Sequence, residues 1–164
     1  MRDGSVGITF QSRVRQLVAF TIEGQRYALP LHSVERVLPM VAVSPLPEGP
    51  PIALGIINLH GQVIPVLDIR HRFHLSPHAY GLTAHLLVAR TNRRAVALPV
   101  DEVLGVREFA AESVTQPEAV LPGIGHVAGI VALPDGLLFI HDLAMFLSLD
   151  EERRLAAALE ETEG

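Results

Sequence analysis

The run Gly55-Ile56-Ile57-Asn58-Leu59-His60-Gly61-Gln62-Val63-Ile64-Pro65-Val66-Leu67-Asp68-Ile69 places two apolar strands around a turn, and it returns in altered form at residues 129–143. The two stretches align without a gap at a spacing of 74, keeping the glycine, the isoleucine after it, the apolar second strand and the aspartate. A second correspondence relates residues 17–37 to 86–106 at a spacing of 69. It sets Ala28-Leu29-Pro30 against Ala97-Leu98-Pro99, Val34 against Val103 and Val37 against Val106. One β module used twice, with its strands in the same order, follows from these spacings. Only the first copy keeps Asn-Leu-His-Gly at its turn, which makes that turn the better functional candidate.

A chain of 164 residues with 49% hydrophobic content fits one domain or two small subdomains sharing a core. Zero cysteines exclude disulfides, thiolate metal sites and a cysteine nucleophile, and suit a reducing cytoplasm. A formal charge of −5 with arginines scattered along the chain gives no footprint for a phosphate backbone. The absence of Trp and the sparse Tyr and Phe argue against a base-stacking platform. The N-terminal residues lack the charged-then-apolar pattern of a secretory signal, and every apolar run is broken before the roughly 18–20 residues of a membrane span.

Along the chain, residues 1–14 read as a mobile arm. A hairpin follows across Glu23-Gly24-Gln25, then a short strand from Val34. Pro39, Pro45, Pro47, Pro50 and Pro51 mark a stiff loop expected to wrap without pairing. The hairpin at 53–69 is expected to be buried on both faces, and a polar, basic connection at 70–78 closes the first half. The opening hairpin recurs across Thr91-Asn92-Arg93-Arg94, residues 112–125 read as a loop, and the last hairpin turns at Pro134-Asp135-Gly136. Ser148 or Asp150 could cap a C-terminal helix carrying Leu155 and Leu159 on one stripe.

The order Val18-x-Phe20-x-Ile22…Tyr27, Val34-x-x-Val37, a proline-rich loop, the Gly55 to Ile69 motif and Arg72-Phe73 resembles the CheW family of chemotaxis adaptors. The resemblance implies a mainly all-β fold of two intertwined, SH3-like five-stranded barrels related by duplication, with a short C-terminal helix. It divides the chain into a flexible arm (1–14), one domain (15–149, subdomains about 15–80 and 81–149, open to strand exchange) and a C-terminal helix or tail (150–164). It implies a non-enzymatic, cofactor-free cytoplasmic scaffold joining chemoreceptor cytoplasmic tips to the regulatory domain of a CheA-like histidine kinase in membrane-associated arrays. Carried over by position, Val34, Val37, Gly55, Asn58, His60 and Gly61 form the receptor-binding side, with Gly105 and Gly129 in the second barrel or at its junction as kinase-side candidates. The family's usual arginine in the turn is His60 here, and its usual glutamate before the second valine is Arg36. Val34→Glu is expected to weaken receptor binding with folding nearly intact.

Other residues admit other chemistries. His71, His74 and His78 stand three and four apart and could ligate a metal if helical, although Pro77 interrupts such a helix. A metal- or small-ligand-binding barrel, or a detached kinase regulatory domain, is therefore the alternative. Asp68 and Asp142 occupy equivalent positions, and capping explains the pair better than catalysis does. No serine sits in a nucleophile elbow.

Overall fold

The computed structural model describes residues 14–73, 75–76, 80–116 and 127–163. Its strands are β1 (Val14–Ile22), β2 (Gln25–Pro30), β3 (Val34–Pro39), β4 (Ala53–Leu59), β5 (Gln62–Leu67), β6 (His85–Arg90), β7 (Ala95–Val100), β8 (Glu102–Ala110), β9 (Val114–Thr115), β10 (Val127–Leu133) and β11 (Gly136–His141). A four-residue helix α1 (Ile69–Arg72) follows β5, and helix α2 (Leu149–Glu163) closes the chain.

One sheet has the order β8-β1-β2-β11-β10-β9 and the other β3-β6-β7-β5-β4. Each takes the opening hairpin of one half and the later strands of the other, and exchanging every strand for its counterpart converts the second order into the first five strands of the first. The halves meet through parallel pairing, β11 with β2 and β5 with β7. The fold is thus mainly β, two intertwined SH3-like subdomains, the first sheet extended by the two-residue β9.

Three apolar clusters explain the unbroken hydrophobic runs. Along β1, Leu17 and Ala19 point into one cluster with Val131, Leu138 and Ile140, whereas Val18, Phe20 and Ile22 point into another. Along β6, Leu86 and Val88 face Ile57, Ile64 and Val66, whereas Leu87 and Ala89 join the cluster of Val18 and Phe20. Each sheet therefore has an inner face of its own, and the shared cluster lies where their other faces meet. Strands between two cores must be apolar at every position, because period-two alternation then has no solvent side.

Four β-bulges obey the duplication. Glu35 is the extra residue of β3 and Leu104 that of β8, 69 positions apart. Leu54 is the extra residue of β4 and Ala128 that of β10, 74 apart. A bulge shifts the strand's facing by one position.

Several sequence expectations change. The hairpin at 53–69 is not buried on both faces: β4 is an edge strand whose Leu54 is 41% exposed and whose Asn58 is exposed. The proline-rich loop does pair, since Ser44 exchanges two backbone hydrogen bonds with Ile56 (2.9 and 2.7 Å). Ser44 precedes Pro45, which biases it toward extended backbone while its own N–H remains free to donate. Residues 114–115 form β9 within the expected loop. Arg70, expected on a polar connection, is 3% exposed: its Nε and Nη2 donate to the Ser76 carbonyl (3.1 and 2.9 Å), and Nη2 pairs with Glu23. The N-terminal arm lies, apart from Val14, outside the described residues.

Candidate functional site

In a regular strand Val34 and Val37 would point to opposite faces. The Glu35 bulge removes that conflict: Val34 pairs with Ala89 and Val37 with Leu87, both on the face toward the shared cluster. The two valines differ in depth. Val34 is half-buried and packs on the shared cluster, whereas Val37 is 41% exposed. Val34→Glu would set a carboxylate against that cluster in the free protein, so it is expected to cost folding stability as well as receptor binding. Glu35 lies 3.6 Å from Arg90, and Arg36 has no ion pair among the described residues.

Leu59 pairs with Gln62, which leaves His60 and Gly61 as a two-residue loop. Both have positive φ, 53° and 87°, the signature of a type I′ hairpin turn. Histidine tolerates this region better than most side chains, and the Asn58 Oδ1 accepts from the Gly61 N–H at 2.8 Å. Asn58 thus shapes the turn, while His60 projects exposed at its apex.

Gly55 serves the neighbouring strand. A Cβ there would lie 2.1 Å from the Ser44 carbonyl oxygen, and its φ of 155° disfavours any side chain. Its counterpart Gly129 is also buried, and a Cβ there would meet Val114 Cγ1 at 2.4 Å. Gly105 follows the Leu104 bulge, with φ of 98° and open space where a Cβ would stand.

Register places these residues relative to one another. Arg36, Val88, Ala97, Val66 and Gly55 form one row across the five-stranded sheet, so Arg36 and Gly55 stand at its two edges. Val34 pairs with Ala89, next to the β6–β7 turn at 91–94, and the 58–61 turn lies at the same end of the sheet because β5 runs parallel to β7. The structure thus gathers Val34, Asn58, His60 and Gly61 at one end. Val37 and Gly55 sit further along, on opposite edges.

That end has a centre the sequence reading missed, the turn Thr91-Asn92-Arg93-Arg94. Thr91 organises it by accepting from the Arg93 and Arg94 N–H groups at its Oγ1, both at 3.1 Å. Three clefts meet there. One lies where the sheets adjoin, between Pro30, His32 and Ser33 on one side and Ala128, Asp142 and Ala144 on the other. A second runs beside Met145, Leu147 and Leu149. The third, about 420 Å³, lies between Gln62, Arg90, Arg93, Arg94 and the α2 residues Ala156 and Glu160. The local signal was the Arg93-Arg94 pair inside a turn, but only the fold brings Arg90 and Gln62 beside it.

Helix α2 forms the floor of this end. Ser148 and Glu151 make a reciprocal capping box: the Ser148 Oγ accepts from the Glu151 N–H (3.1 Å) and the Ser148 N–H donates to Glu151 Oε1 (2.9 Å). Leu155, Ala158 and Leu159 are buried, and Arg72–Glu151 and Arg94–Glu152 pairs hold the first turn. Burial alone would raise the Glu151 pKa, but the Ser148 N–H and the Arg72 guanidinium outweigh it and leave the carboxyl below its ordinary value.

The carboxylates considered for catalysis are structural. Asp68 accepts from Arg70 N–H at 3.0 Å and caps α1; Asp142 accepts from Ala144 N–H at 3.0 Å and caps a 3-10 turn. Tyr80 donates to Asp68 at 3.3 Å, and burial followed by the Asp68 charge pushes its hydroxyl well above the usual range. Of the three candidate metal ligands, His71 is exposed on α1, whereas His74 and His78 lie outside the described residues. No cluster of three or more metal-ligating side chains occurs among the described residues.

With this geometry in view, the family model for the CheW-like domain matches residues 16–151. The chain belongs to the CheW family. It is 26% identical over 147 residues to the chemotaxis protein CheW of Treponema pallidum, covering 86% of each chain. It is 26% identical over 139 residues to that of Klebsiella aerogenes, covering 84% of each. The crystal structure of the scaffolding protein TtCheW from Thermoanaerobacter tengcongensis superposes with a TM-score of 0.75 at 26% identity, covering 84% of this chain and 94% of that one. Membership in the CheW family makes sense of the duplicated bulges, since a scaffold must hold its exposed edges in fixed register.

Proposed function

We propose that this chain is a non-catalytic scaffold of the chemotaxis type that joins chemoreceptor cytoplasmic tips to a CheA-like histidine kinase. The observation that carries the reading is the CheW-like match across residues 16–151, together with three clefts lined by the 91–94 turn at the end of the five-stranded sheet that also carries Val34 and the 58–61 turn. A receptor tip is helical, and a helix binds by laying an apolar stripe into a groove between rigid elements. The sheets supply rigidity, because every strand of that end is anchored in a buried cluster. Val37 supplies exposed β-branched surface that loses little rotamer freedom on binding.

Occupied carboxylates favour a role without chemistry. Asp68 caps the start of α1 and Asp142 the start of a 3-10 turn, so local structure accounts for both. The kinase contact falls on the second half, where Gly105 leaves open space beside β8, whereas Gly129 is buried against Val114 and serves the fold. No helix among the described residues is long and apolar enough to cross a membrane; the scaffold acts in the cytoplasm, at arrays assembled on membrane-embedded receptors.

Val37→Glu, measured by titration against a receptor-tip fragment and a kinase regulatory fragment, tests the receptor assignment. Receptor affinity should fall by about tenfold or more while kinase affinity and the unfolding midpoint stay put, because the charge becomes buried only in the complex. Equal loss of both partners would refute the assignment.

A further inference from the structure

The duplication supplies an internal control for the arginine turn. Thr21 pairs with Arg26 and Arg90 with Ala95, so the β1–β2 and β6–β7 turns are equivalent at a spacing of 69. Glu23, Gly24 and Gln25 stand where Asn92, Arg93 and Arg94 stand in the other copy. The first turn is absorbed into the protein: Glu23 takes Arg70 and donates its N–H to Asp101 (2.7 Å), and Gln25 donates to the Leu137 carbonyl (2.8 Å). The hairpin therefore folds without arginines, and those of the second turn need another reason.

Their charge is only partly spent. Arg94 is held by Glu152. Arg90 has Glu35 at 3.6 Å with both side chains about half exposed, a geometry worth little in water. Arg93 is exposed and has no ion pair among the described residues. On the lip of the cleft that Arg93 shares with the segment before α2, Met145 and Leu149 are each 59% exposed. Free guanidinium beside exposed thioether and leucine is a mixed surface, suited to a ligand carrying both carboxylates and apolar side chains. Polyanions fit it poorly, because Glu152 and Glu160 of α2 line the two clefts that Arg93 borders, in a chain whose net charge is −5.

We infer that the receptor segment docked at this end presents carboxylates to Arg93 and Arg90 and an apolar side chain to Met145 and Leu149. The inference rests on the scaffold reading and adds the chemistry of the partner. Its consequence is electrostatically steered association, faster at low salt and sensitive to charge at a site remote from Val37.

Arg93→Glu tests it in the full chain, with Arg107→Glu on β8 as the control for net charge, since Arg107 is also exposed and lies in the other sheet. Both variants and the wild type are titrated with receptor-tip and kinase regulatory fragments at low and high salt, and with phosphatidylserine vesicles. Arg93→Glu should lower receptor affinity by about tenfold at low salt, mostly in the on-rate, and flatten its salt dependence. Arg107→Glu and kinase binding should be unaffected. Equal effects of the two variants, loss confined to the kinase, or vesicle binding abolished by Arg93→Glu with receptor binding intact would each overturn the inference while leaving the scaffold reading standing. Wild type that binds neither fragment would sink the scaffold reading itself. Within its turn Arg93 donates its backbone N–H to Thr91 Oγ1, a bond the substitution keeps, so unchanged thermal unfolding is expected and separates contact loss from misfolding.

Discussion

The hairpins β4–β5 and β10–β11 descend from one motif and share a bulge, a buried glycine and a capping aspartate, yet they use these parts differently. In the first, Gly55 lies against the backbone of Ser44, the turn takes the type I′ form at His60-Gly61, and Asp68 joins a network with Tyr80 and buried Arg70. In the second, Gly129 lies against a side chain, Pro134 forbids a positive φ at the equivalent turn position, and exposed Ala144 stands where Arg70 stood. Duplication preserves what the ladder requires. Turns and edges, which the ladder leaves unconstrained, diverged.

The largest expected difference concerns the glycines. Gly55→Ala should destabilise by about 4 kcal/mol, combining overpacking against an immobile carbonyl with an L side chain at positive φ. Gly129→Ala should cost about 1–2 kcal/mol, because the Val114 side chain can yield. Urea midpoints measured side by side decide it; equal costs would mean that the Ser44 pairing is not rigid.

A smaller gap is expected between the capping aspartates. Asp68→Ala should cost about 2 kcal/mol, since it strips both a buried helix start and the acceptor of Tyr80. Asp142→Ala should cost about 1 kcal/mol, the ordinary loss of a cap. Thermal unfolding of the pair would show the reverse order if Asp142 held a hidden second role.

The smallest effect tests where the two copies are joined, at Arg72 after the first hairpin and Glu151 after the second. The folded pKa of Glu151 lies below its ordinary 4.5, so its stabilisation is complete above that pH and is lost as pH falls through the lower folded value. Glu151→Gln should lower stability by about 1 kcal/mol at neutral pH and remove this part of the acid limb. An unchanged pH profile would show that the copies are not coupled through this pair.

Much of this fold was legible along the chain. The repeat was visible because strands buried between two cores must stay apolar, and the hairpins because glycine at turns satisfies a local backbone need. The capping roles of Asp68 and Asp142 were legible for the same reason, as a cap acts over two or three residues. Burial of Arg70 was not, since its partner Glu23 meets it only across the fold. Nor was the facing of Val34 and Val37, which depends on where β3 carries its extra residue against β6.

The sequence by itself determined two copies of one strand order and the residues on their turns, because those are set by short-range periodicity and backbone conformation. Only the tertiary structure decided which hairpin entered which sheet, and so brought Arg90, Arg93 and Arg94 beside Gln62 and α2. Pairing between distant strands is chosen by which apolar faces can be buried together, a property of the whole molecule that no local window contains.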